Sequence, residues 1–168
     1  MKSLRIAKTL RRIGAHLPVA LVIMTVALIL AAGSQSVFAA YSCMKVKATE
    51  VAGFTSQTTV GGIVTNGGIL NGTSEGVLAG AFLPGPSPTV VTFNIEKSFI
   101  TDKGILRTHS PHMLDVATGV GTAFAYVDPQ SSTGIFAGAS GLLYINFKGN
   151  ADGVSSTASI TGDVCFAN

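Results

Sequence analysis

Val91-Thr92-Phe93-Asn94-Ile95-Glu96-Lys97-Ser98-Phe99 alternates between apolar and polar side chains at almost every step. Val91, Phe93, Ile95 and Phe99 share one face, while Thr92, Asn94, Glu96 and Ser98 share the other. A period of two is that of a strand with one face against a core. Lys97 is the misfit, because strict alternation sets it among the apolar residues. The preferred reading is a bulge near Glu96-Lys97 that returns the ammonium group to solvent. If Lys97 points inward instead, a lysine inside a barrel is a functional candidate on grounds of desolvation.

Outward from this stretch the same pattern repeats. Alternating runs occur near residues 43–54, 58–65, 75–83, 89–100, 104–109, 113–116, 119–127, 141–148 and 157–166, separated by Gly, Pro, Asn, Asp and Ser clusters. No helical period of useful length follows residue 40, and 18 of the 20 glycines lie beyond it. Such density suits turns and bulges and opposes helices. Many short strands at this spacing predict an antiparallel barrel or sandwich. Leu83-Pro84-Gly85-Pro86-Ser87-Pro88 reads as a loop that no ladder strand can include. Asp128 to Gly134 and Asn150 to Gly153 read as further turns. Gly68, Gly72, Gly76 and Gly80 are spaced by four, but Asn71, Thr73, Ser74 and Glu75 interrupt them, so they read as turn and bulge glycines rather than a helix dimerisation face.

The chain has 168 residues, 11% charged and 47% apolar, a composition opposite to that of a disordered tail. Its pI near 9.0 is misleading. Lys2, Arg5, Lys8, Arg11 and Arg12 precede every acid, whereas residues 40–168 carry six basic and eight acidic side chains, a net charge of −2. That sign, with so few basic residues, excludes nucleic acid as a partner. The basic start, the apolar run Leu17–Ala32 and the small-residue sequence Val37-Phe38-Ala39 read as a secretory signal cleaved after Ala39. The chain then divides into a signal peptide, 1–39, and one domain, 40–168, in the periplasm or fully secreted. It meets the membrane only through the uncleaved signal.

Cys43 and Cys165 are the only cysteines. Alternation puts Cys43 with Lys45 and Lys47, and Cys165 with Thr161 and Asp163, on the polar faces of the first and last strands. In an oxidising compartment two such cysteines are expected to pair if the strands are neighbours.

The most polar stretch holds Arg107, His109, His112 and Asp115. His109-Ser-Pro-His112 has a ligand-like spacing that Asp115 would complete as a metal triad. Pro111 favours a solvated, irregular turn with no metal, and a general-base role for either histidine is the alternative. Phosphate-binding, hydrolase-elbow and zinc-protease templates are absent. Asn71-Gly72-Thr73 fits a glycosylation sequon, relevant only in a eukaryotic secretory route. In the run 119–127, Gly121, Ala123 and Ala125 form a small-residue face opposite Val120, Phe124 and Tyr126, with either face inward.

Thr133-Gly134-Ile135-Phe136-Ala137-Gly138-Ala139-Ser140-Gly141-Leu142-Leu143 resembles the Gly-x-Phe-x-Gly-Ala-x-Gly hairpin of the dirigent and allene oxide cyclase barrel superfamily. It also resembles small exported bacterial proteins of unknown role that carry this hairpin. The resemblance covers roughly residues 113–166 and implies an all-β, antiparallel, eight-stranded calycin-like barrel with an apolar cavity, often oligomeric. Phe136 would plug one barrel end. Plant members cyclise a fatty-acid epoxide or guide phenoxy-radical coupling. The expectation is therefore an exported barrel that binds a small hydrophobic molecule without a cofactor. The alternatives are an isomerase of the cyclase type and a non-catalytic structural or interaction protein of the envelope. Lys97, Arg107, His109, His112 and Tyr126 are the candidate ligand-binding residues.

Overall fold

The alternation around Lys97 continues through the whole of β4 (Val90–Thr101), which pairs with β5 (Gly104–Asp115) from Val90↔Asp115 to Thr101↔Gly104 without a register break. The expected bulge at Glu96-Lys97 is absent. Lys97 stays in step with Ile95 and Phe99, and all three are buried. The computed structural model describes residues 41–167. The signal segment expected at 1–39 lies outside the described residues.

Before β4 come β1 (Tyr41–Phe54), β2 (Thr59–Thr65) and β3 (Gly72–Pro84), with a 3-10 turn at Gly68–Leu70. After β5 come β6 (Val120–Val127), a second 3-10 turn at Gly134–Phe136, β7 (Ser140–Gly149) and β8 (Ser155–Ala167). Each strand pairs antiparallel with its sequence neighbour, and β1 pairs with β8, closing an eight-stranded barrel. Closure removes the free edges that an open sheet would present. Charged Lys45, Lys47, Glu75, Glu96 and Arg107 point outward, whereas Val46, Ala48, Phe99, Leu106 and Ile160 fill the interior.

Two proline-containing segments depart from expectation. The runs 104–109 and 113–116 are one strand. Pro111 keeps its place opposite Asn94 on β4, and the β5–β6 register passes from His109↔Tyr126 to His112↔Ala123 without it. A proline is tolerated where its missing N–H faces a gap in the ladder. Leu83 and Pro84 likewise belong to β3, opposite Thr92 and Val91. They lie beyond the β2–β3 pairing, which ends at Thr59↔Val77. The β3–β4 register shifts between Ala79 and Leu83, where Gly80 adopts φ +91°, a conformation natural to glycine.

Cys43 and Cys165 are register partners on β1 and β8 and are joined by a disulfide. Two residues further on, Lys45 and Asp163 form an exposed ion pair at 2.9 Å. The seam between the first and last strands is thus fastened covalently on the outer face.

The two barrel ends differ. At one end Ile69 and Leu70 of the first 3-10 turn and Phe136 of the second are buried in the core with Phe99, Leu106, Leu143 and Val164. Phe136 is fully buried, and its ring lies 6.3 Å from that of Phe166. Gly134 permits this plug: it has φ +63°, and a Cβ there would collide with the Lys103 carbonyl of the β4–β5 turn. At the other end, short turns connect β1 to β2, β3 to β4, β5 to β6 and β7 to β8, and the interior is not filled.

Candidate functional site

The unfilled half of the lumen is a cavity of about 290 Å³, whose walls include Ala52, Val60, Ile95, Leu114, Ile145 and Phe147. It lies near the lower end of the size range of small-molecule pockets, and its walls are mostly apolar, as such pockets are. Phe54 and Val154 stand at the mouth, 70% and 72% exposed.

Glu50, Lys97 and His112 also line the cavity. Glu50 lies on β1 in step with Val46 and Ala48, and Lys97 lies on β4, so the two face each other across the lumen. Lys97 Nζ donates to both Oε1 and Oε2 of Glu50, each at 2.6 Å. The Ser74 hydroxyl on β3 donates to Oε1 of the same carboxylate. Glu50 and Lys97 are only 2% and 7% exposed. Two of the three ammonium N–H groups are thereby used. Nζ also lies 5.4 Å from the centre of the Phe99 ring, within cation–π range. On β5 the Thr108 hydroxyl donates to the Lys97 carbonyl at 3.3 Å and lies 3.4 Å from the Ser110 hydroxyl. A band of polar groups therefore crosses an otherwise apolar interior.

His112 belongs to the wall. Its ring stacks on Phe93 at 5.0 Å with an interplanar angle of 16°, and Phe147 leans against it at 5.8 Å. Both ring nitrogens are shielded and have no hydrogen-bond partner among the described residues. Desolvation, with the Lys97 charge adding to it, pushes the imidazole pKa down to about 4. The ring is therefore neutral at physiological pH.

The other sequence candidates lie elsewhere. His109, three residues before His112, is on the outer face: its Nδ1 contacts Glu96 Oε2 at 2.5 Å, and its Nε2 is 3.8 Å from Asp128 Oδ2. The hydrogen bond to Glu96 raises its pKa. Arg107, also outside, reaches the Ser98 hydroxyl at 3.4 Å. Both border a surface hollow of about 400 Å³ that Glu75, Glu96 and Asp128 share. Tyr126 is 52% exposed on the outer face, because β6 turns its small side inward and buries Ala123 and Ala125. Arg107, His109 and Tyr126 are thus not lumen residues. The irregular turn expected at Pro111 is a regular strand, so His109 and His112 point to opposite sides of the wall. With Asp115 held in the β5–β6 turn by the Ala117 N–H, they form no triad.

Glu50 and Ser74 were not among the sequence candidates. The signal for Glu50 is present, since Val46-Lys47-Ala48-Thr49-Glu50 alternates and sets Glu50 on the apolar face just as Lys97 is set. Two opposite charges on apolar faces point to each other. Comparison with known proteins finds no matching family model, no matching curated protein and no matching solved structure.

Proposed function

We propose that the lumen binds a small, mostly apolar molecule admitted at the open end, and that the chain is an exported, calycin-like barrel built for this role. The observation that carries the reading is the cavity with a buried ion pair as its floor. A buried pair is seldom more stabilising than apolar residues of the same volume, so its position beneath a cavity favours recognition over stability. The hairpin around Phe136 supports the calycin-like assignment by resemblance. The disulfide supports a non-reducing compartment.

Native mass spectrometry of protein incubated with a lipid and aromatic metabolite extract tests the reading. A retained small molecule is expected for the wild type. Ala52→Phe, which fills the cavity, should abolish retention while leaving the fold intact by circular dichroism. Absence of any retained molecule in the wild type contradicts the proposal.

One observation favours a second reading, isomerase or cyclase chemistry: the cavity lining brings His112 together with the Lys97–Glu50 pair, groups of the kind that move protons. Recovery of an isomer of the bound molecule, lost in His112→Phe, would support that reading over simple binding.

A further inference from the structure

The composition of the cavity also constrains the charge of its occupant. This argument rests on the lumen being a ligand site, as proposed above. Within the cavity lining, Lys97 and Glu50 are the only side chains that carry charge, because His112 is neutral there. They neutralise each other through two hydrogen bonds, and Ser74 adds a third to the carboxylate. The floor is therefore polar but without net charge. One Lys97 N–H remains to donate.

An oxygen acceptor on a ligand can take that N–H without disturbing the pair. A carboxylate brought to the same place would set two carboxylates on one ammonium and would itself be desolvated. An ammonium would face Lys97 directly and is disfavoured for the corresponding reason. The walls above the floor, Ala52, Val60, Ile95, Leu114 and Ile145, offer only apolar contact, and Phe54 and Val154 continue it to the mouth. Polar at its depth and mainly apolar above, with Ser155 and Ser156 beside Val154 near the mouth, the cavity orients an amphiphile head down.

We infer that the lumen selects uncharged amphiphiles bearing one hydroxyl or carbonyl oxygen, anchored on Lys97, and excludes the corresponding acids and amines. Glu50 is the residue that sets this selectivity. It acts by cancelling the charge of Lys97 rather than by contacting the ligand.

The test is displacement of the neutral dye N-phenyl-1-naphthylamine from the disulfide-bonded barrel by 1-dodecanol, 2-dodecanone, dodecanoate and dodecylamine at neutral pH. The alcohol and the ketone should displace it, with dodecanoate and dodecylamine weaker by about tenfold or more, the scale of one uncompensated charge contact. Glu50→Gln keeps the shape of the side chain and frees the ammonium charge, so dodecanoate should gain and overtake dodecanol. Ala52→Phe should remove displacement by all four. Equal or tighter binding of dodecanoate by the wild type overturns the charge inference and leaves the lumen as a ligand site. A folded Glu50→Gln that still excludes dodecanoate overturns the role given to Glu50. Failure of all four compounds, or displacement that survives Ala52→Phe, overturns the lumenal site and the inference together. The wild-type comparison decides the charge question without any variant.

Discussion

Lys97 and Glu50 meet at 2.6 Å across the lumen, joining β4 to β1, two strands that share no ladder. Their contact exists only because the sheet closes. Removing one partner leaves the other charge buried and alone. Lys97→Met should therefore lower stability by about 3–5 kcal/mol, while the double change Glu50→Leu/Lys97→Met should recover most of that loss. Urea denaturation of both variants checks this, and a double variant no more stable than Lys97→Met would contradict the pairing.

His112 makes the opposite prediction. Its ring is packed like a phenylalanine against Phe93 and Phe147, yet it carries two polar atoms without partners. His112→Phe should raise stability at neutral pH by about 1–3 kcal/mol, because buried unsatisfied groups cost that much. A loss of stability on this substitution would mean that the nitrogens are satisfied.

The two histidines of the barrel should titrate apart. The His112 pKa is about 4 in the folded state against 6.5 for the free side chain. As pH falls from 6.5 towards 4, the unfolded chain takes up a proton that the folded ring resists. Stability is lost over that window, by about 3 kcal/mol from this group. His112→Phe should remove that share of the acid sensitivity. His109 is shifted the other way by Glu96, so its small contribution is present at low pH and fades as pH rises through its raised pKa. Two-dimensional NMR of the imidazole resonances should give His109 the higher value, and coincident titrations would contradict the assignment of the two residues to opposite faces.

Much of this architecture is legible in the residues themselves. Alternation in Val91–Phe99 and in Cys43–Glu50 sets the strand faces, and the polar-face cysteines announce the β1–β8 seam. Locally a bulge that returns Lys97 to solvent is the simpler reading, and the partner that keeps Lys97 inside lies 47 positions away on a strand it does not pair with. No local pattern carries that contact. Pro111 matters more: taken as a strand break, it hides the alternation Leu106-Thr108-Ser110-His112, and with it the place of His112 in the lumen. Whether a proline interrupts a strand depends on which side its missing N–H faces, and that is a property of the neighbouring strands.

The disulfide closes a loop with a sequence separation of 122 residues. Thiol labelling of denatured, unreduced protein should find no free cysteine. The double variant Cys43→Ser/Cys165→Ser should lose about 4–5 kcal/mol if the loop-closure account holds. The proposed export predicts a mature N-terminus at Ala40, read by intact mass. Full-length protein retained in the membrane would contradict it.

The half of the barrel above Lys97 and Glu50 is the proposed ligand site, and the half below is solid core. NMR titration with 2-dodecanone, read at backbone amides and side-chain methyls, separates the two halves. Shifts should concentrate on Ala52, Val60, Ile95, Leu114, Ile145 and Ala158 around the cavity, leaving Leu70, Leu106 and Val164 near the plugged end unmoved. Shifts confined to the outer face around Phe124 and Tyr144, or no saturable shifts at all, would contradict the account.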